Sequence, residues 1–199
     1  MIQSFSQGVF MQQSDDFAHP SQIDPRTLKF RPFKGTQGVR NFSCGAKDLE
    51  EFLNTDEVEE YENEGLGRTV LVYRNGDLVA YFTVSSEGLR IEYLRTWKSF
   101  SRMSEMRMES IPAVKVGRLA VSKDWQGKGI GRALIGHIAG MALVMGQQFG
   151  VRLLIVEARK ESEDFYLKCG FELTVPTKRQ RTRIYRTLFF DLAKVKDIA

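Results

Sequence analysis

Arg118-Leu-Ala-Val-Ser-Lys-Asp-Trp-Gln-Gly-Lys-Gly-Ile-Gly-Arg132 is the stretch on which the reading of this chain turns. Its apolar start reads as a strand ending at Val121, followed by a short polar turn. Gln126-Gly-Lys-Gly-Ile-Gly131 then opens a helix on which Ile130, Leu134, His137, Ile138, Met141 and Met145 recur at helical spacing. Glycines at 127, 129 and 131 strip side chains from the turn, so main-chain N–H groups can approach a ligand closely. Those donors sit at the positive end of a helix dipole, with Lys123, Lys128 and Arg132 nearby. The combination suits a phosphate or pyrophosphate.

Two common phosphate loops do not fit. The dinucleotide fingerprint G-x-G-x-x-G cannot be aligned to glycines spaced by two throughout. A nucleoside-triphosphate loop needs a glycine and a Ser or Thr where this chain has Ser122 and Gly129. What fits is Gln-x-x-Gly-x-Gly, at Gln126, Gly129 and Gly131. A second motif lies downstream. The run Val151-Arg-Leu-Leu-Ile-Val156 reads as a buried strand and the charged segment after it as a short helix. Ser162 or Glu161 lies near that helix's cap, and Asp164-Phe-Tyr-Leu-Lys-Cys-Gly-Phe171 ends it at Gly170.

The two motifs together resemble the GNAT superfamily of N-acetyltransferases, from Leu28 to about Leu192. The resemblance implies an α/β (α+β) fold with a central mixed, mostly antiparallel sheet, splayed at the cofactor slot and flanked by helices. It also implies acetyl-CoA as co-substrate. The pyrophosphate would lie on Gln126, Gly127, Lys128, Gly129, Ile130, Gly131 and Arg132, and the pantetheine arm on the main chain of Leu119, Ala120 and Val121 as an added strand. Tyr166 inherits the role of general acid toward the departing thiolate, for which a phenol of ordinary pKa about 10 suits a thiol of about 8.5. Read from its residues alone, Tyr166 could equally pack. The family often has an asparagine or alanine just before the Phe-Tyr pair; here Glu161, Ser162, Glu163 and Asp164 stand there, so no cofactor contact is carried over.

Within the superfamily the chain resembles toxin-like members that acetylate the α-amine of aminoacyl-tRNA. The likeness lies in Phe42-x-Cys-Gly-x-x-x-Leu-x-x-Phe-Leu53, Gly117-Arg-Leu-Ala-Val121 and Gln126-Gly-Lys-Gly-Ile-Gly-Arg132. That resemblance implies tRNA as a partner, read by Lys178, Arg179, Arg181 and Arg183 with Arg186 beside them, and an antitoxin as another. The isoelectric point near 9.1 agrees with a phosphate backbone as ligand, although the net charge is only +4. Acetylation of a small-molecule or protein amine stays open, as do a coenzyme A-binding protein without turnover and a homodimer. No general base stands out; Glu87, Glu92 and Glu109 are candidates.

Composition bounds the rest. The 199 residues fit one domain, expected at 27–199 behind a flexible polar leader at 1–26. A hydrophobic fraction of 42% excludes a disordered chain. No apolar run reaches the roughly 20 residues of a membrane span, and no secretory signal pattern is present. Two cysteines, Cys44 and Cys169, suit a reducing cytoplasm, and neither has the neighbours of a metal site. His137 reads as a packing residue. Along the chain, Leu28–Phe33 predicts a short strand limited by Pro32 to an edge or an end, and the helix through Leu49, Phe52 and Leu53 is capped at Ser43 or Cys44. An acidic helix spans Asp56 to Glu64. Arg68–Val84 predicts a hairpin turning on Asn75-Gly76. Glu87 to Ser110 reads as an irregular excursion, Ile111–Val121 as a strand, and Arg183–Leu192 as the last strand.

Overall fold

The computed structural model describes residues 23–35, 39–94, 100, 105–175 and 184–196. Among them, seven strands form a mixed sheet with helices on its flanks, the expected class. The elements are β1 (Lys29–Pro32), α1 (Lys47–Asn54), α2 (Glu57–Asn63), β2 (Arg68–Arg74), β3 (Asp77–Arg90), β4 (Ser110–Val121), α3 (Ile130–Met145), β5 (Leu153–Arg159), α4 (Lys160–Lys168), β6 (Glu172–Leu173), β7 (Tyr185–Asp191) and α5 (Ala193–Lys196). The described residues fall into two compact units, one comprising those up to Ser85 with Val116–Ile138, the other those within Ser86–Lys115 and from Ala139 onward.

In the first unit β1, β2, β3 and β4 lie side by side in that order. The β2–β3 hairpin turns at Asn75 (φ 53°) and Gly76 (φ 98°), both left-handed as a type I′ turn requires. β1 is an edge strand that ends at Pro32, where a missing N–H costs no ladder bond. One core is built from Val39, Phe42, Phe52, Leu53, Val58, Leu71, Tyr81 and Ala120. Tyr81 reaches through it to donate its hydroxyl to the Leu49 carbonyl at 2.7 Å, fixing α1 on the sheet. His137 packs, as its position on the helix predicts. Its ring lies flat on Phe30 at 3.6 Å and meets Phe82 edge-on. Burial pushes its pKa down to about 4.

In the second unit β5 pairs antiparallel with β7, and β7 with β6. Its core gathers Leu89, Ile91, Leu94, Phe100, Ile111, Ala113, Leu153, Ile155 and Phe189. Asp191, 3% exposed, takes Arg152 in a two-pronged ion pair at 2.7 and 2.9 Å and also accepts the Ala193 amide that opens α5.

Several boundaries differ from those predicted. α1 begins at Lys47 with Ala46 as cap, not Ser43 or Cys44, because Glu50 takes the donors of that loop. α4 begins at Lys160, with Arg159 rather than Glu161 or Ser162 at its cap. The Glu87–Ser110 excursion is shorter than its composition suggests. β3 runs on to Arg90, where Leu89 is buried and Glu87 pairs with Lys115, and β4 already starts at Ser110. β5 begins at Leu153, two residues later than the apolar run, since the Arg152 amide is spent on the Pro112 carbonyl. β7 spans Tyr185–Asp191 instead of Arg183–Leu192. Ordered structure starts earlier than Leu28: Ile23 is buried and Asp24 caps a short turn at Pro25–Thr27. Residues 1–22 lie outside the described residues.

Candidate active site

The glycine turn forms at the C-terminal end of β4. Ser122 donates its amide to the Val79 carbonyl at 2.8 Å, which ends the strand, and Lys123–Trp125 coil into a single 3-10 turn. Gly127 and Gly129 follow with φ of +73° and +86°, the left-handed region that side chains resist. A side chain at Gly127 would meet nothing within 4 Å, so the requirement there is conformational and the space beside it is open. α3 then starts at Ile130, a buried anchor, and the Ala133 amide bonds back to the Gly129 carbonyl. Ile130 and Gly131 open the first turn of the helix, the end where main-chain N–H groups point outward along the axis. A positive dipole end beside a turn that is open at Gly127 fits an anionic diphosphate.

The polar side chains of the turn are arranged differently from a simple phosphate cradle. Gln126 donates its side-chain amide to the carbonyls of Cys44 (2.7 Å) and Val121 (2.9 Å), bracing the turn from within. Lys128 donates to the Asp124 carbonyl at 2.7 Å and lies 4.7 Å from the Trp125 ring, whose other cationic neighbour is Arg74 at 5.0 Å. Leu119, Ala120 and Val121 lie on β4, with Ala120 buried in the first core.

Tyr166 sits three positions before the α4 cap. Its carbonyl accepts the Phe171 amide at 3.1 Å, while Gly170, at φ +85°, donates to Leu167 at 2.9 Å. Those are the two bonds of a Schellman ending, and the Tyr166 and Phe171 rings meet at 5.5 Å as that ending favours. The half-buried Tyr166 ring also meets Phe165 at 5.0 Å. Burial pushes its hydroxyl up to about 12, so it keeps its proton throughout the neutral range. Cys169 is buried as the α4 cap, which removes it from reactive-thiol chemistry.

Two of the three candidate bases have their carboxylates paired. Glu87 is tied to Lys115 at 3.3 Å and Glu92 to Arg90 at 3.2 Å. Lys115 is pulled both ways: burial disfavours its charge, but bonds to Glu157 and Glu87 outweigh that and raise its pKa. Glu109 is exposed, and its carbonyl accepts the Ile91 amide. Lys178, Arg179, Arg181 and Arg183 lie outside the described residues, while Arg186 pairs with Glu163 at 3.5 Å. Among the described residues no cluster of His, Cys, Asp and Glu could hold a metal ion, and no helix is long and apolar enough to cross a membrane.

Arg118 opens the decisive stretch, but its packing is not legible there. Its guanidinium lies 3.5 Å from the centre of the Phe52 ring and 5.1 Å from that of Tyr61, and donates to Glu57 at 3.1 Å. Its partners come from α1 and α2, dozens of residues away, and no local pattern announces them.

Comparison with known proteins agrees with this geometry. Residues 66–173 match the acetyltransferase (GNAT) domain family. A curated tRNA-acetylating toxin of Mycobacterium tuberculosis is 23% identical over 145 residues, covering 72% of this chain and 84% of that protein. A solved structure of AtaT complexed with acetyl-methionyl-tRNAfMet superposes with a TM-score of 0.72 at 24% identity, covering 85% of this chain and 97% of that one. A tyrosine-to-phenylalanine variant of the AtaT toxin, bound to acetyl-CoA and the C-terminus of the antitoxin AtaR, gives 0.65 at 23%, over 85% and 96%. With a family match that spans more than half of its length and carries both the glycine turn and the Phe-Tyr helix, this chain belongs to the GNAT family of N-acetyltransferases.

Proposed function

We propose that the protein transfers the acetyl group of acetyl-CoA to the α-amine of an aminoacyl-tRNA. The observation that supports the cofactor half is the turn at Gly127–Gly131, where left-handed glycines and the open space beside Gly127 lead into the positive end of the α3 dipole. The diphosphate lies on the amides of residues 127–132, with Lys128 and Arg132 adding charge. The pantetheine arm runs along the main chain of Leu119, Ala120 and Val121 as an extra strand. An uncharged amine attacks the thioester carbonyl, the C–S bond breaks as the amide forms, and no covalent enzyme intermediate is needed. The amine's proton leaves to solvent. Tyr166 donates its hydroxyl proton to the departing sulfur, and the tyrosinate is reprotonated from water.

The acceptor half rests on similarity to the tRNA-acetylating toxin and on superposition with AtaT, together with a basic isoelectric point of about 9.1. An aminoacyl-tRNA acceptor implies a cytoplasmic site of action, and the likeness to AtaT, solved with the antitoxin AtaR, supports an antitoxin as a second partner. The test is an acceptor screen with radiolabelled acetyl-CoA, offering charged tRNAs, polyamines and lysine peptides in parallel. Label on charged tRNA that is lost on deacylating it supports the proposal. Label on small amines or peptides alone leaves the acetyltransferase and removes the tRNA, and binding of acetyl-CoA with no acceptor modified removes the enzyme.

A further inference from the structure

The Phe42-x-Cys-Gly segment and the glycine turn, far apart in sequence, are laced together through one carboxylate. Oε1 of Glu50, on α1, accepts the Ser43 hydroxyl at 3.0 Å and the amides of Cys44 and Gly45 at 2.7 Å each. Those bonds hold the Glu50 carboxyl below the usual carboxylate range. The other side of the same three residues faces the turn. The Ser43 carbonyl accepts the Lys123 amide at 3.0 Å, and the Cys44 carbonyl accepts the Gln126 side chain at 2.7 Å. Gly45 stands at φ +87°, and a Cβ there would come within 3.3 Å of the Lys123 side chain, so strap and turn are packed as well as bonded.

We propose that Glu50 is a positioning residue for the reaction: by holding the strap Ser43–Gly45 it fixes the carbonyls on which Lys123 and Gln126 hang, and through them the backbone that receives the diphosphate. A helix cap would satisfy the first amides of its own helix. Glu50 instead serves donors that lie before the cap residue Ala46, and their carbonyls are the ones that restrain residues 123 and 126. The cofactor then meets a turn whose shape is already set, and its binding energy is not spent on ordering that turn. This inference rests on the glycine turn being the coenzyme A loop.

The test uses the full chain with coenzyme A as probe, and two readouts: affinity by calorimetry, and amide hydrogen exchange of residues 122–131 without ligand. Glu50→Ala should raise Kd about tenfold and speed exchange in that segment. The KM for acetyl-CoA should rise in step, while kcat at saturation stays within about twofold. Glu50→Gln, whose amide oxygen still accepts, should recover most of the affinity. Glu51→Ala, on the same helix but off the strap, should match wild type. Ser43→Ala removes a single donor and carries the same expectation at smaller size, so a folding failure of Glu50→Ala does not remove the test. Unchanged affinity and exchange in folded Glu50→Ala or Ser43→Ala would overturn the inference. If wild type binds no coenzyme A, the cofactor reading falls, and exchange alone decides whether the strap restrains the turn.

Discussion

Tyr166 and Phe171 are joined twice. The carbonyl of the first accepts the amide of the second at 3.1 Å, and their rings meet edge-on at 5.5 Å. A residue proposed for chemistry is therefore also the inner half of a helix ending, and the two roles can be separated. Tyr166→Phe keeps the ring and loses only the hydroxyl. Turnover should fall about 10²-fold or more, with coenzyme A affinity and melting temperature close to wild type. Equal turnover in the variant would reduce Tyr166 to packing.

The same ending sets a stability prediction. Gly170 has φ +85°, and a Cβ there would lie 3.2 Å from the Phe190 ring. Gly170→Ala should cost roughly 1–2 kcal/mol from the left-handed backbone alone, with crowding of Phe190 adding to it. Urea unfolding should show the loss as a lowered midpoint; an unchanged midpoint would mean that the turn relaxes freely.

The raised hydroxyl pKa of Tyr166, about 12, has a consequence for rate against pH. The acid is protonated at every pH below that value, so its titration cannot cause an alkaline fall under about pH 10. Turnover should instead climb from neutral pH as the acceptor amine loses its proton. A bell-shaped profile falling by pH 9 would point to a different acid.

His137 makes an acid-side prediction. Its folded pKa, near 4, lies below the ordinary 6.5, so below 6.5 the unfolded chain takes up a proton that the folded chain refuses. Stability from this group is complete above 6.5 and is lost as pH falls toward 4. Between pH 7 and pH 5 the loss is roughly 2 kcal/mol. His137→Phe keeps a flat ring against Phe30 and should remove that share of the pH dependence. Parallel curves for wild type and variant would refute it.

Asp191 holds both the Arg152 fork and the Ala193 amide. Asp191→Ala strands a half-buried guanidinium and should cost about 3 kcal/mol, whereas Asp191→Asn keeps an acceptor and should cost less. Denaturant midpoints of the two variants, compared with wild type, provide the check.

What could be read from sequence was what local chemistry dictates. Asn75-Gly76 can make both left-handed positions of a tight hairpin, and Gly170 after a short charged helix is an ending by itself. The turn at 126–131 is legible for the same reason, since glycine spacing is a statement about backbone. The α1 cap was misplaced because Glu50 outbids the helix for Ser43 and Cys44, and side-chain reach over several residues leaves no period. β3 outran its predicted end because Leu89 finds a core and Glu87 finds Lys115, both distant in sequence. Arg118 was invisible for that reason also: a cation in an apolar strand declares nothing until Phe52, Tyr61 and Glu57 close around it.

Beside Gly127 the space is empty, yet φ is +73°. The exclusion of other residues there is a matter of handedness and not of bulk. A mirror-image alanine installed by semisynthesis would rest comfortably where its natural enantiomer is strained, and would stiffen the turn besides. Chirality of the other nineteen encoded building blocks, rather than any neighbour, is what reserves that place for the achiral one.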